Sequence, residues 1–205
     1  MTNPAGLGTK LVGNSELVIV NDHLRYRIDE VEFPDGSRGS YTYIDDDYAA
    51  AATVPLDKRR GELNVFLVRQ ERYPSQTVGW EVPAGRPEAG ESQLEAAQRE
   101  LREEGGLVAE FWHQLPRQLE NVGRGNSRSD LFVAAGLTVV RNQVEASEVI
   151  TDQAWFPIGE VEEMMLDGKI SAGHTMASIA LARALISRTP SHPITRFLAL
   201  GLSSA

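Results

Sequence analysis

Apolar and polar side chains alternate in short runs near the N-terminus. ELVIVN, LRYRIDEVEF and SYTYI, all within residues 16–45, read as short strands from these runs. Pro34-Asp35-Gly36 is a strong turn signal between the second and third runs. Together they predict an N-terminal antiparallel sheet. Six further strand candidates follow at residues 50–55, 64–69, 80–82, 111–119, 131–137 and 153–156, with a hairpin at Arg60-Gly61 joining the first two. Helical character appears after Pro157 over residues 160–166, and again over the alanine- and leucine-rich residues 175–186. The final ITRFLALGLSSA reads as a docked apolar turn or a loose tail, because Pro190 and Pro193 oppose continuation of the preceding helix.

Residues 85–107, GRPEAGESQLEAAQRELREEGGL, carry the densest pattern. Ser92 and Glu95 have capping-box spacing and predict a helix start near Ser92, with Pro87 and Gly90 suited to the bend before it. Leu94, Ala97 and Leu101 form an apolar stripe to pack on a sheet, and Gly106 suits the helix end. Glu100, Glu103 and Glu104 stand at i, i+3 and i+4, on a largely separate face. Three readings of that acidic face compete: a solvated surface, a ladder of ion pairs through Arg99 and Arg102, or a cation site. Clustered carboxylates suit a hard divalent cation such as Mg2+, which takes oxygen ligands and keeps water and substrate phosphate around it. With no cysteine and four scattered histidines, zinc has little support.

The complete spacing is G-x5-E-x7-R-E-U-x-E-E-x-G-U, where U is a bulky aliphatic residue, with Gly85, Glu91, Arg99, Glu100, Leu101, Glu103, Glu104, Gly106 and Leu107 at its specified positions. This resembles the Nudix box. The resemblance implies the Nudix fold, an α+β architecture (α/β/α sandwich) with a mixed sheet between helices, and a helix–sheet–helix layering of the expected elements agrees with it. It also implies Mg2+, with Mn2+ as a possible substitute. Glu100 and Glu104 would be the principal metal ligands, with the backbone carbonyl of Ala84 an additional one and Glu103 the next candidate. Arg99 and Glu91 would tie the loop to the helix, so that changing either disturbs geometry before it removes a ligand; Arg99 and Glu103 are counted with the catalytic group. Glu81 is either part of the metal and substrate site or a polar strand residue.

Residues 68–92, VRQERYPSQTVGWEVPAGRPEAGES, and residues 155–185, WFPIGEVEEMMLDGKISAGHTMASIALARAL, are similar to ADP-ribose pyrophosphatases and related nucleoside-diphosphate-sugar hydrolases. That likeness implies Arg72 as a contact to the substrate diphosphate or terminal ribose; the plainer reading is a surface ion pair. It also implies a catalytic base well after the box, for which Glu148 is the best match and Glu145 the second choice. One departure is NVGRGNSRSDLF at residues 121–132: the proline expected in such a loop is absent, although Gly123, Gly125 and Ser127 suit a flexible loop and Asp130 retains an acidic group. Arg124 and Arg128 are candidate phosphate contacts or ordinary exposed charges. The departure weakens ADP-ribose against other nucleotide sugars. A non-hydrolysing ADP-ribose sensor is the alternative from another class.

These readings divide the chain into an N-terminal β extension over residues 1–48, a Nudix hydrolase domain over 49–189 and a C-terminal tail over 190–205. In the resembling subgroup such an extension commonly joins a homodimer and helps enclose the nucleoside. Tyr26, Tyr41 and Tyr43 are candidates to stack on a base or, more plainly, to pack across strands. The length of 205 residues and a hydrophobic content of 41% suffice for a substantial core. The N-terminal MTNPAGLGTKLVGNSE lacks the basic and apolar regions of a secretion signal, and no apolar run is long enough to span a bilayer. With zero cysteines, the expectation is a cytoplasmic enzyme acting on a small nucleotide, without a membrane partner. A net charge of −9 gives little support to a nucleic-acid groove.

Overall fold

The computed structural model describes residues 8–21, 24–46, 49–140 and 149–200. Contacts divide these residues into two compact units, one holding the N-terminal residues with Leu119–Ser127 and the other holding the rest.

The N-terminal unit is an antiparallel sheet of β1 (Lys10–Asn21), β2 (Leu24–Glu32) and β3 (Arg38–Ile44), in that order. The Pro34-Asp35-Gly36 turn closes with Gly36 N–H donating to Phe33 O at 2.9 Å. Residues 119–127, which the sequence marks as a flexible loop, are tied to the end of this sheet. Ile44 N–H donates to Arg124 O at 2.8 Å, and Asn126 N–H returns to Ile44 O at 3.2 Å. Buried Asp45 accepts Arg27 Nε and Nη2 at 2.9 and 2.6 Å and Asn126 Nδ2 at 2.6 Å. The buried charge is thereby compensated, and Arg27 and Asn126 hold its pKa down against the opposing effect of burial. The tyrosines do not pair with one another across strands: Tyr26, Tyr43 and Tyr41 face Ile44, Arg27 and Asp29. Their aromatic contact runs along β3, with the Tyr41 and Tyr43 rings 6.4 Å apart.

The larger unit is a mixed sheet of β4 (Ala50–Arg59), β5 (Glu62–Arg72), β6 (Thr77–Glu81), β7 (Ala84–Gly85), β8 (Leu107–Gln114), β9 (Gln118–Leu119), β10 (Arg128–Val139) and β11 (Ile150–Pro157). Its main order is β11-β5-β4-β10-β8, with the β4–β10 pair parallel and the other pairs along it antiparallel. The hairpin expected at Arg60-Gly61 joins β4 and β5, with Arg59 opposite Glu62. Four helices follow in chain order: α1 (Gln93–Gly105), α2 (Ile158–Leu166), α3 (Gly173–Arg188) and α4 (Pro193–Leu200). Strand alternation sorts side chains into two layers. Phe66, Val68 and Ala134 pack with Leu101 of α1, and Ala51 and Phe132 pack with Ala96 and Ala97. Leu56, Leu67, Leu131 and Val133 instead meet Val161, Ile179, Ile194 and Leu198 from α2, α3 and α4. This is the sandwich the sequence predicts. No helix among the described residues is long and apolar enough to cross a membrane.

The segment left open between a docked turn and a loose tail contains α4, whose Ile194 and Leu198 are buried. His192 fixes its start by accepting Ile194 N–H at Nδ1, at 3.3 Å. That leaves Nε2 of a neutral ring as the donor to Nδ1 of His113 on β8, 3.1 Å away. Burial first, and then His192, lower the His113 pKa below its ordinary 6.5. The unfolded chain therefore takes up a proton near pH 6.5 that the folded chain resists, so this contribution to stability is held above about pH 6.5 and lost as the pH falls from there through the lower folded-state value. Thermal unfolding followed by circular dichroism should show a falling Tm between about pH 7 and pH 5, and a smaller fall in a His113→Leu variant.

Candidate active site

Helix α1 starts as the spacing predicts. Ser92 Oγ accepts Glu95 N–H at 3.3 Å, and Glu95 Oε2 accepts Ser92 N–H at 2.8 Å, completing the capping box. It ends at Gly106, whose φ of 61° lies in the left-handed region that favours glycine. The inward stripe differs from expectation. Leu94 is exposed, whereas Ala96, Ala97 and Leu101 are fully buried. Glu100 and Glu104 are also buried, with relative exposures of 5% and 0%. Residues 97, 100, 101 and 104 follow i, i+3, i+4, i+7 spacing, so these two carboxylates continue the packed face and do not form a separate one. A solvated acidic face is thereby excluded for Glu100 and Glu104.

Both carboxylates abut the backbone of β7, which pairs with Ala51 and Ala52 of β4. Glu104 Oε2 accepts Ala84 N–H at 2.8 Å. The Glu100 carboxylate occupies the space that a Cβ at Gly85 would take, so only glycine permits this approach. Gln153 of β11, which the sequence reading did not single out, donates from Nε2 to the Glu104 carbonyl oxygen. Its signal was hidden because the contact spans 49 positions.

Arg99 holds the acidic cluster together. Its Nη1 donates to Glu100 Oε1 at 2.8 Å and Glu103 Oε2 at 3.0 Å, its Nε to Glu91 Oε1 at 3.0 Å, and its Nη2 to Arg86 O at 2.8 Å. Of the ion-pair ladder expected through Arg99 and Arg102, the Arg99 half is present, while Arg102 joins no ion pair among the described residues. Burial opposes its charge, but Glu91, Glu103 and Glu100 raise its pKa above the ordinary arginine value. Arg99 in turn lowers the Glu91 pKa, assisted by the Glu88 backbone.

The donor set around β7 and α1 consists of hard oxygens: the Glu100, Glu103 and Glu104 carboxylates and the Ala84 backbone carbonyl. Among the described residues, no group of three or more acidic, histidine or cysteine side chains converges to hold an ion. Magnesium needs no such cage, since one or two carboxylates with water and substrate phosphate commonly suffice. The set therefore fits a magnesium-like cation and gives no support to a soft-ligand site.

Arg72 and Glu81 form a second cluster. Arg72 Nε and Nη2 donate to the two oxygens of the buried Glu81 carboxylate at 3.1 and 2.8 Å. His174 Nε2 lies 3.4 Å from Glu81 Oε2. Burial alone would raise the Glu81 pKa, but His174 and then Arg72 outweigh it and bring it from 4.5 to about 2. Asp130 is fully buried and paired with Arg117 at 2.8 and 2.9 Å. Glu148 and Glu145 lie outside the described residues. A cavity of about 740 Å³ lies at the β4–β5 hairpin, lined by Lys58, Arg59 and Trp155 but by none of these glutamates. Burial and charge mark the candidate site better than volume does.

Residues 47–177 match the NUDIX domain. The chain belongs to the Nudix hydrolase family. This Nudix hydrolase is 30% identical over 161 residues to an ADP-ribose pyrophosphatase of Mycobacterium tuberculosis (strain ATCC 25618 / H37Rv), covering 78% of this chain and 76% of the relative. It is 24% identical to a CMP-5'-(N-acetyl-N-hydroxy-3-aminopropyl)phosphonate hydrolase of Streptomyces rubellomurinus (strain ATCC 31215), covering 86% and 81%. A solved structure described as an ADP compounds hydrolase shares the fold, with a TM-score of 0.73, 22% identity, and coverage of 86% of this chain and 94% of that one.

Two outcomes test this geometry. Gly85→Ala should displace the Glu100 carboxylate and lower turnover by about 10²-fold, as an ångström-scale misplacement can, with the far-ultraviolet spectrum retained. Because the Glu81 pKa is depressed from 4.5 to about 2, its stability contribution is present above pH 4.5 and lost as the pH falls through about 2. Denaturant titrations across that range should show a shallower acid decline in Glu81→Gln than in the native chain.

Proposed function

We propose that this Nudix hydrolase cleaves the pyrophosphate bond of a nucleoside diphosphate linked to another moiety, with ADP-ribose to AMP and ribose 5-phosphate as the leading reaction. The observation that carries the reading is the pair of buried carboxylates, Glu100 and Glu104, set against the Ala84–Gly85 backbone. The ADP-ribose pyrophosphatases of Mycobacterium tuberculosis and, at 27% identity, Bacillus subtilis (strain 168) support the substrate class. The phosphonate hydrolase relative and the departure over residues 121–132 keep a nucleotide-sugar pyrophosphatase with another preferred substrate as the second reading. A sensor without turnover is disfavoured because the acidic segment is intact.

In this scheme Glu100, Glu104 and the Ala84 carbonyl hold Mg2+, or Mn2+ in its place, with Glu103 beside them. The bound cation supplies charge neutralisation at the diphosphate and lowers the pKa of water. Arg99 keeps Glu100 and Glu103 oriented and ties them to Glu91 and Arg86. Arg72 contacts the diphosphate from its place beside Glu81, and Glu148 serves as the base, with Glu145 as the alternative. The N-terminal sheet supports a homodimer: Leu17, Ile19 and Val20 of β1 and Tyr41 of β3 are exposed on it. The lack of cysteine supports a cytoplasmic setting.

Product identification by mass spectrometry tests the proposal, using ADP-ribose, nucleotide sugars and a dinucleotide with and without magnesium. AMP and ribose 5-phosphate should form from ADP-ribose, and turnover should fall at least about 10²-fold in Glu104→Gln or without metal. Tight ADP-ribose binding without turnover of any compound would replace this reading with a sensor.

A further inference from the structure

Glu81, Arg72 and His174 contain an unfinished interaction. The Glu81 carboxylate has a relative side-chain exposure of 5%, whereas its partner Arg72 has 41%. On the other side, His174 Nε2 is buried and stands 3.4 Å from Glu81 Oε2, near enough to act on its charge but too poorly aligned to complete a hydrogen bond. Buried polar atoms are usually satisfied, so this nitrogen needs a physical account. Its setting is anchored. The buried Thr175 accepts Val82 N–H at 3.2 Å, fixing the start of α3 to the segment just after β6, while Trp80 N–H donates to Lys169 O at 3.0 Å. The carboxylate and the imidazole are therefore held next to each other by neighbouring elements, and alignment more than distance keeps their contact from being a full hydrogen bond.

A phosphate competing for Arg72 would strip Glu81 of a two-pronged partner and leave a buried charge exposed to its full desolvation cost. A donor waiting on the opposite side removes that obstacle. We propose that His174 is a positioning residue for Arg72: it takes over the Glu81 carboxylate when a diphosphate draws the guanidinium away. The inference rests on the diphosphate-binding role of Arg72 proposed above. It requires no change of protonation, because the neutral Nε2–H ring and the imidazolium both donate from Nε2.

Full-length His174→Gln and His174→Asn proteins separate this role from a packing role. Glutamine carries its amide donor to about the reach of Nε2, whereas asparagine falls short. Inorganic pyrophosphate binding is read by calorimetry without metal, alongside steady-state kinetics on ADP-ribose with magnesium. His174→Asn should weaken pyrophosphate binding and raise KM by about ten-fold while kcat stays within about two-fold, and His174→Gln should restore both. Neither substitution should add to the effect in an Arg72→Ala background. Equal defects in both variants, a lower Tm with unchanged affinity and KM, or no pyrophosphate binding by the native chain would overturn the inference. Pyrophosphate binding that depends on His174 in a protein that hydrolyses no nucleoside diphosphate would uphold it and defeat the proposed reaction instead.

Discussion

Negative charge held inside the fold is the constraint on which the rest of this molecule depends. Glu100 and Glu104 lie on the packed face of α1, where an isolated carboxylate is strongly unfavourable. The Ala84 N–H compensates Glu104, and Arg99 compensates Glu100 while also binding Glu91, Glu103 and the Arg86 carbonyl. Loop, helix and acidic cluster thus form one electrostatic unit. Removing Arg99 would leave several carboxylates to repel one another at the end of a helix, where the dipole also disfavours negative charge. An arrangement under that tension is suited to accept a cation.

Packing makes the unit rigid. Leu101, between the two buried glutamates in sequence, packs with Phe66 and Val68 of β5 and Ala134 of β10. Helices α2, α3 and α4 close the opposite face, so the sheet cannot yield without opening a second core. Short β7 brings the Ala84–Gly85 backbone against α1, and the missing Cβ at Gly85 gives the Glu100 carboxylate its space. Rigid elements on both sides hold these side chains in place.

The Glu81 cluster follows a different logic. Its carboxylate is shared between the half-exposed Arg72 and the enclosed His174, so one partner is accessible and the other fixed. In the N-terminal unit, buried Asp45 plays a purely structural counterpart: Arg27 and Asn126 satisfy it and fasten residues 119–127 to the sheet. The proline missing from that loop is thus offset by side-chain and backbone bonds, which stiffen it by a route local sequence does not announce.

Period and spacing determined much on their own. The capping box at Ser92, the helix end at Gly106, the Arg60-Gly61 hairpin and the strand–helix order are local, since each depends on residues a few positions apart. The nine specified positions of the acidic segment identified the family for the same reason. Tertiary structure decided which face of α1 turned inward, because helical spacing puts Glu100 and Glu104 on the same stripe as Leu101 while composition argues for exposure. It also decided the partners of Glu81, 9 positions from Arg72 and 93 from His174, and that residues in α4 are core. Local propensity has no means of registering contacts made across such separations; they exist only once strand pairing has brought distant segments together.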